Sequence, residues 1–291
     1  MNMNIGLVGF GVMGAAIAPR LISNGYSVLV YDISADALAR AETEGCTASA
    51  TPSEVARKAP IILISLPKPE HVTSVVQEGD DCLLSGTTKG SVIIDTSTVD
   101  PQTSQSNAKA AEDVGVGYLD CPVLGRPVAC GNWTLPTGGD AKYIAMAEPV
   151  LKTFAAKIIH VGPSGQGNAV KLLNNLMFGA INSITSEVFA LCKQVGIDPK
   201  QFFETISTSG AGTVSKLFQE LGPKIVNDDY STIFSIDNLQ KDVGLGISMA
   251  RKNGMKLPIS QAGQNLNELA QAAGLGKQDS SAIVKIFGKL Q

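Results

Sequence analysis

The sequence lacks any apolar run approaching the ~18 residues that a membrane-spanning helix needs. Its N-terminus also lacks the basic segment and cleavage site of a secretory signal. The formal net charge is -3, so there is no excess of lysine and arginine to hold a nucleic-acid backbone or an anionic membrane surface. We therefore expect a cytoplasmic protein that acts on a small molecule and has no membrane or nucleic-acid partner.

Residues for several common kinds of site are also scarce. The two histidines, His71 and His160, lie too far apart in the sequence to indicate a metal centre. A serine hydrolase is not supported, because a GxSxG motif around Ser164 would need glycine where Gln166 stands. No two cysteines form a CxxC pair, so we expect reduced core thiols rather than disulfides or a zinc site; they are Cys46, Cys82, Cys121, Cys130 and Cys192.

What is present is the composition of a folded protein, with 291 residues of which 44% are hydrophobic and 17% charged. This length suits about two domains. In the first half, short apolar strands alternate with helices, which predicts a doubly wound parallel sheet. The predicted strands are residues 4–8, 27–31, 61–66, 91–95, 117–120 and 157–161. We therefore predict an α/β fold with a Rossmann-type domain over 1–163, an interdomain helix over 164–195 and an all-helical domain over 196–291.

A glycine-rich turn follows the first predicted strand and opens a helix, with the sequence Gly9-Phe10-Gly11-Val12-Met13-Gly14. In a GxGxxG turn the first glycine makes the tight turn, the second admits a pyrophosphate, and the third packs helix on strand. Asp32 ends the second strand, where a carboxylate binds a ribose 2′-hydroxyl and repels a 2′-phosphate. We therefore predict that the turn binds NAD, with NADP less favoured. The alternative is a glycine turn with an acidic helix cap.

In such sheets ligands bind beyond the carboxyl ends of the strands. Three segments stand there: Leu66-Pro67, Thr96-Ser97-Thr98, and the stretch from Cys121 to Arg126. We expect Leu66, Pro67 and Thr96 to contact the cofactor. Hydroxyl groups at 96–98 suit a substrate carboxylate or the nicotinamide amide, although helix capping before Pro101 explains them equally well.

The stretch from Gly165 to Asn175 opens the longest predicted helix, about 167–195, which is roughly 40 Å at 1.5 Å per residue. Lys171 and Asn175 lie one turn apart on one surface of it. A proton-transferring Lys171 would need burial to lower its pKa from the usual ~10.4; the alternative is a solvated lysine. Apolar positions spaced by three and four predict a buried stripe of Leu173, Leu176, Met177, Ala180, Ile184, Val188 and Leu191.

Further helices are predicted at about 200–208, 213–226, 236–253, 260–273 and 280–289. Lys241 and Asp242 stand side by side on one of them, which by itself is more typical of a solvated ion pair than of a site. This half is too small to cover both faces of the long helix, so we expect a homodimer or homotetramer.

Four motifs, in this order, resemble the β-hydroxyacid dehydrogenase family, which includes 3-hydroxyisobutyrate dehydrogenases and tartronate semialdehyde reductases. They are the glycine turn, the stretch Asp120-Cys121-Pro122-Val123, the stretch from Gly165 to Asn175, and Lys241-Asp242. The resemblance covers nearly the whole chain. It implies hydride transfer between a nicotinamide cofactor and a small 3-hydroxy acid or the corresponding semialdehyde.

The resemblance also implies roles for single residues. Lys171 matches the catalytic acid/base, and Asn175 matches the residue that orients the substrate. Lys241 is implied to lie near both substrate and nicotinamide, and Ser97 to face the nicotinamide pocket.

One motif departs from the family pattern. Most members have Ser-Gly-Gly after Pro-Val, where this chain has Leu124-Gly125-Arg126-Pro127. We expect Leu124, Gly125 and Arg126 to line the substrate site, and Arg126 to bind a carboxylate or phosphate bidentately, which favours a larger or doubly anionic substrate. The alternative is that Arg126 pairs with a protein carboxylate or points to solvent.

Two other functions stay open on the sequence. One is an imine reductase, because some of those enzymes resemble this chain in carrying Gly-Arg-Pro here, although they generally lack the lysine at 171. The other is a non-catalytic NAD-binding sensor or scaffold, against which the presence of Lys171, Asn175 and Lys241 together counts.

Overall fold

A computed structural model describes residues 3–210, 212–213 and 215–287 of the chain. The packing of its Cα atoms divides the chain into two compact units, Met1–Lys171 and Leu172–Gln291. The first unit contains an eight-stranded sheet, and the second is helical. The division falls inside one long helix, so the domain boundaries at 163/164 and 195/196 stay predictions.

The strands of the first unit lie side by side in the order β3-β2-β1-β4-β5-β6-β7-β8. They are β1 (Asn4–Val8), β2 (Ser27–Tyr31), β3 (Thr47–Ala48), β4 (Ile61–Ile64), β5 (Val92–Asp95), β6 (Gly117–Asp120), β7 (Trp133–Gly138) and β8 (Ala155–Gly162). The strands β1 to β6 run parallel in the order 3-2-1-4-5-6 that is typical of dinucleotide-binding sheets. The predicted Rossmann-type fold is confirmed.

Helices of the first unit cover both faces of this sheet. They are α1 (Val12–Ser23), α2 (Ala35–Thr43), α3 (Pro52–Lys58), α4 (Pro69–Gln77), α5 (Leu83–Gly86), α6 (Pro101–Asp113) and α7 (Ala141–Leu151), with a short 3-10 helix at Pro127–Ala129. Four of them begin where a side chain accepts an N–H of the first turn, namely Ser34, Thr51, Asp100 and Asp140. Because strand residues alternate in direction, neighbouring residues such as Leu7 and Val8 belong to different apolar cores.

The sequence does not predict β7, because Pro136 lies inside it and proline cannot donate to a strand ladder. β7 pairs with β6 at Asp120 and Gly138 and runs antiparallel to it. β8 runs parallel to β7. The last two strands therefore run opposite to the first six. The sequence predicts a sheet that is parallel throughout, and this prediction is wrong for β7 and β8.

The second unit begins within α8 (Gln166–Gln194) and continues with four further helices and a short helical end. They are α9 (Pro199–Ser207), α10 (Lys216–Val226), α11 (Ile236–Lys252), α12 (Pro258–Ala272), a 3-10 helix at Ser280–Ile283 and α13 (Val284–Phe287). The predicted helices match, apart from the last, which is split in two and whose final predicted residues lie outside the described part. Among the described helices, none has the length and apolarity that crossing a membrane requires.

The predicted buried stripe of α8 is wrong for the single chain. Leu173, Met177, Ile184 and Leu191 are each more than half exposed. The buried face instead carries polar and small residues together with a few apolar ones, including Asn175, Gly179, Asn182, Ser186 and Phe189. Apolar spacing predicts which residues share a helix face, but a single sequence does not show what covers that face.

Candidate active site

The glycine turn between β1 and α1 leaves the start of the helix open. Gly9 has a φ of +96°, and a Cβ there would collide with the backbone oxygen of Ser65. At Gly11, by contrast, a Cβ would meet no atom within 4 Å. Within the described part of the chain no side chain caps α1, so its first N–H groups and positive dipole end are available to an anion. Val12 and Met13 follow in its first turn. These residues fit the pyrophosphate of a dinucleotide.

Asp32 lies beside this turn. Its Oδ2 accepts the N–H of Phe10 at 2.7 Å, and its Oδ1 accepts the N–H of Ser34 at 2.8 Å. A carboxylate has about four lone-pair sites, so a ribose hydroxyl can still donate to it. Arg40 donates to the Phe10 carbonyl at 3.3 Å, and so brings to the turn a cation that the residues directly after Asp32 do not supply.

The ends of β4 and β5 are joined by buried hydroxyl groups. The Ser97 Oγ accepts the N–H of Leu66 at 2.9 Å, and the Thr96 Oγ1 donates to the Ile64 carbonyl at 2.7 Å. Both residues are buried, with 4% and 7% exposed. Their hydroxyls hold the backbone next to Pro67, and contact of Ser97 with a substrate stays a prediction.

Asp95 supports this junction from inside the sheet. Its carboxylate accepts the Ser97 N–H at 2.9 Å and the Tyr118 hydroxyl at 2.8 Å. Burial raises the pKa of Asp95 to about 6, although the hydrogen bonds from Ser97 and Tyr118 oppose this shift.

The loop that departs from the family pattern is fixed by Trp133 and Thr134. Leu124 exchanges two backbone hydrogen bonds with Thr134. The indole of the fully buried Trp133 donates to the Arg126 carbonyl at 2.7 Å. A Cβ at Gly125 would collide with the Trp133 ring, so only glycine fits there. Arg126 has an extended backbone, with φ −94° and ψ 155°, which any residue adopts without strain.

Lys171 lies against the segment that precedes this loop. Its Nζ donates to the Val123 carbonyl at 2.7 Å, and Val123 is three residues beyond the end of β6. The side chain is partly buried. Two of the sequence motifs therefore meet here, and the ammonium group lies at the carboxyl edge of the sheet, where ligands bind in this class of fold.

The start of α8 is held by Asp120, the last residue of β6. Its Oδ1 accepts the Gly165 N–H and its Oδ2 accepts the Asn168 N–H, both at 2.8 Å. Asn168 in turn accepts the Val99 N–H at 3.1 Å. Burial raises the pKa of Asp120 to about 6, against the opposing effect of these backbone N–H groups.

In the second unit, Asn175 and Lys241 share one carboxylate. The Asn175 Nδ2 donates to Asp242 Oδ2 at 2.5 Å, and the Lys241 Nζ lies 2.8 Å from Asp242 Oδ1. Asn174 donates to the Asn175 Oδ1 at 3.0 Å. Because an ionised carboxylate only accepts, it fixes which end of the Asn175 amide faces it. The solvated ion pair that the sequence favours is therefore not what α11 carries, since Asp242 is 3% exposed.

The sequence assigns no role to four residues that hold the predicted site residues in place: Asp95, Asp120 and Trp133 in the first unit, and Asp242 in the second. Asp120 and Asp242 lie inside the motifs, beside residues that were assigned. Their signal is an acidic residue at a strand end or in a helix interior, where an unpaired charge is costly. For Trp133 the available signal is that it is the only tryptophan of the chain.

The described residues hold no group of three His, Cys, Asp or Glu side chains that could bind a metal ion. All five cysteines are free and buried, as predicted. The polar groups that converge on the carboxyl edge of the first unit are therefore hydroxyls, backbone amides and the Lys171 ammonium. These suit proton transfer and dinucleotide binding.

Two family models match the chain. The model described as the NAD binding domain of 6-phosphogluconate dehydrogenase matches residues 4–162. The model described as NAD-binding of NADP-dependent 3-hydroxyisobutyrate dehydrogenase matches residues 165–287. Together they indicate a nicotinamide cofactor, which agrees with the open start of α1.

Three individual proteins that resemble the chain illustrate the similarity. 2-(Hydroxymethyl)glutarate dehydrogenase of Eubacterium barkeri is 30% identical over 99% of this chain and 96% of that protein. The crystal structure of 3-hydroxyisobutyrate dehydrogenase from Salmonella typhimurium has a TM-score of 0.89 at 27% identity, covering 98% of this chain and 100% of that one. An imine reductase from a Pseudomonas species has a TM-score of 0.64 at 20% identity, covering 98% and 99%, and this likeness shows the fold alone.

The two family models together match residues 4–162 and 165–287, and the relative that is 30% identical over 96% of its own length is a dehydrogenase of a hydroxy acid. The chain belongs to the β-hydroxyacid dehydrogenase family of nicotinamide-dependent oxidoreductases.

Proposed function

We propose that the chain transfers hydride between NAD(H) and a small 3-hydroxy acid or its semialdehyde, with Lys171 as the general acid/base. The observation that carries this proposal is the 2.7 Å hydrogen bond from the Lys171 Nζ to the Val123 carbonyl. It holds a titratable amine at the carboxyl edge of the sheet, next to the loop that begins at Leu124.

The nicotinamide, when bound, accepts or donates the hydride. Lys171 takes the proton from the substrate hydroxyl during oxidation and returns it to the carbonyl oxygen during reduction. The Val123 carbonyl fixes the direction of the amine, which reduces the freedom that must be lost before the proton moves. We assign to Asn175 and Lys241 the orientation of the substrate, and to Lys241 also a place near the nicotinamide.

We assign the pyrophosphate to the open start of α1 and the adenosine ribose to Asp32. The Asp32 carboxylate favours a 2′-hydroxyl over a 2′-phosphate, which supports NAD rather than NADP. Leu66, Pro67 and Thr96 complete the proposed cofactor contacts at the ends of β4 and β5.

For the substrate we propose a compound with an anionic group in addition to the reacting carbinol. Arg126 replaces a family glycine at a position whose backbone accepts any residue, and its guanidinium suits a carboxylate or phosphate. A relative at 30% identity is named for a glutarate, which is a dicarboxylate. We expect Arg126→Ala to lower kcat/KM at least ~10-fold on a doubly anionic substrate and less on a singly charged one. Equal losses on both, or a change below twofold, would contradict this.

The direct test is a screen of 3-hydroxy acids, semialdehydes and dicarboxylic relatives with NAD and NADP. Lys171→Met should bind NADH as the wild type does but lose turnover at least ~100-fold. Lys152→Met, at the exposed residue directly after α7, is the matched control and should keep full activity. Retained turnover in Lys171→Met would refute the assigned acid/base. NADH binding without turnover of any compound would favour a sensor or scaffold, and reduction of imines alone would favour an imine reductase.

We also propose that a second copy of the chain covers the exposed face of α8. Leu173, Met177, Ile184 and Leu191 are 54–66% exposed on that face, and an uncharged apolar stripe can pair with its own copy without charge complementarity. Ile184→Glu should therefore lower the molar mass measured by light scattering, whereas Lys193→Glu, at an exposed position near the end of α8, should not. A wild-type monomer would refute the proposal. The buried free cysteines support a reducing compartment, and the cytoplasmic location stays a prediction.

A further inference from the structure

The start of α8 differs from the other capped helix starts of the first unit in where its cap comes from. Four helices there are capped by the residue directly before them. The residue before α8 is Gly165, which has no side chain. The cap of α8 is instead the carboxylate of Asp120. Asp120 lies 45 residues before Gly165 and 48 residues before Asn168, whose backbone N–H groups donate to it.

The contact is close on every side, and this explains the glycines of the motif. The backbone of Gly167 also lies close enough to Asp120 to lower the pKa of its carboxyl group, against the effect of burial. A Cβ at Gly167 would collide with the Asp120 carbonyl, and a Cβ at Gly138 would collide with the Asp120 carboxylate. Gly165 has a φ of +93°. The glycines of this stretch therefore let α8 begin directly on Asp120.

A second tie joins the same two segments one helical turn later. Lys171 follows Asn168 by three residues, and Val123 follows Asp120 by three. The Lys171 Nζ donates to the Val123 carbonyl at 2.7 Å. The segment 120–123 thus holds the backbone of the α8 start at one end and the Lys171 ammonium at the other.

A third tie comes from the fully buried Asn168. Its Oδ1 accepts the Val99 N–H, and its Nδ2 donates to the Ser104 Oγ, both at 3.1 Å. These contacts fix the first turn of α8 against the segment that follows β5. The first turn of α8 is therefore held by β6, by the backbone at Val99 and by α6.

We propose that Asp120 is a positioning residue for the reaction: by anchoring the first turn of α8 to the end of β6, it sets where the Lys171 ammonium lies relative to the substrate loop. The inference rests on the proposed role of Lys171. A buried ion contributes little net stability, whereas a displacement of about 1 Å at a catalytic group can cost roughly 100-fold in rate.

Asp120→Asn tests this with almost no change of volume. Asparagine offers one carbonyl oxygen and an NH2 group that cannot accept, so at least one of the helix N–H groups that Asp120 satisfies loses its partner. We expect kcat to fall at least ~30-fold while the Kd for NADH stays within about twofold, because the α1 site is not touched. Asp140→Asn is the matched control, since Asp140 caps α7 in the same unit, and its kcat should stay within twofold.

A double-mutant cycle separates positioning from general damage. In Lys171→Ala, rescued with ethylamine, the base is no longer attached to α8. Adding Asp120→Asn should then lower the rescued rate by less than about threefold. A loss as large as in the lysine enzyme would show that Asp120 does not act through Lys171 and would overturn the inference.

If Asp120→Asn does not fold, Gly167→Ala displaces the same turn from the other side and should give the same kcat loss. A kcat within twofold of the wild type in either folded variant would also overturn the inference. These outcomes differ from a failure of the proposed function, which would show as retained turnover in Lys171→Met.

Discussion

In the first unit two helices, α1 and α8, begin at glycine motifs. They differ in what satisfies the backbone N–H groups of the first turn. Each start presents backbone N–H groups without helical partners and the positive end of the helix dipole, which attracts an anion. At α1 no side chain of the described residues caps the helix, and a Cβ at Gly11 would meet no atom within 4 Å. At α8 the protein supplies its own anion, Asp120.

The difference teaches how to interpret glycine motifs. At α1 the middle glycine, Gly11, keeps space open for a ligand, and at α8 the glycines let two parts of the protein approach closely. The first arrangement binds a mobile anion, and the second fixes a helix that carries Lys171 one turn beyond the Asp120 contact. The spacing of glycines alone does not distinguish these uses, because both require a missing Cβ.

The largest effect is expected from closing the open start. Gly11→Asp would place a protein carboxylate at α1, as Asp120 is placed at α8, and repel the pyrophosphate. We expect the Kd for NADH to rise at least ~100-fold, which is about 2.7 kcal/mol, with unchanged circular dichroism because the site has room. Gly11→Asn has nearly the same volume without the charge and should cost much less. Equal losses in both variants would mean that bulk, not charge, excludes the cofactor.

A second carboxylate supplied by the protein lies in the other unit. Asp242→Asn would free the Asn175 amide to rotate and remove the partner of Lys241, so we expect kcat/KM to fall ~20-fold. Asp237 on the same helix is a close control, because it also binds an amide, from Gln271, and a lysine, Lys277. Asp237→Asn should change kcat/KM less than twofold. If both variants lose activity equally, the effect reflects stability of α11.

A smaller effect is expected at the ribose end of the open site. Asp32→Ser removes the charge that repels a 2′-phosphate, and Arg40 beside the turn can then attract it. The ratio of kcat/KM with NADP to that with NAD should rise ~10-fold, and adding Arg40→Ala should reverse most of the gain. Asp36→Ser, on the exposed surface of α2, should leave the ratio unchanged. An unchanged ratio in Asp32→Ser would remove the basis for the NAD preference.

The smallest effect that we expect is a pH dependence of folding stability caused by Asp120, which caps α8. The folded pKa of Asp120 is raised from 3.8 to about 6 by burial, so the folded state binds more protons than the unfolded state between these values. The contribution of Asp120 to the free energy of unfolding is therefore fully present below pH ~4 and is lost as the pH rises through ~6. Relative to Asp120→Asn, the wild type should lose at least about 1 kcal/mol of unfolding free energy between pH 4 and 7. The opposite slope in urea titrations would mean that the helix N–H groups outweigh burial.

Much of the fold could be predicted from local pattern. The strands β1, β2 and β6 lie where apolar runs predict them, and α11 and α12 begin within two residues of prediction. β7 could not be found this way, because Pro136 breaks the expected pattern and its pairing depends on β8. The predicted apolar stripe of α8 does lie on one face, but the prediction that this face is buried is wrong for the single chain. Burial depends on which other elements pack against the face, and a local pattern does not show that.

The site divides in the same way. Residue spacing predicts the glycine turn, Asp32 and the position of Lys171 in a long helix, because these depend on contacts within a few turns of chain. Three contacts could not be predicted: those of Asp120 with α8, Asp242 with Asn175, and Trp133 with Gly125. The first two join residues that are far apart in the sequence, and the third depends on how the loop folds back on β7.

The sequence by itself determined the Rossmann-type sheet, the nicotinamide cofactor and the family, because hydrophobic period, glycine spacing and ordered motifs are local properties. Only the tertiary structure decided that one glycine motif is open and the other is filled by Asp120, because a helix start attracts any anion, and which anion reaches it depends on the packing of the whole unit.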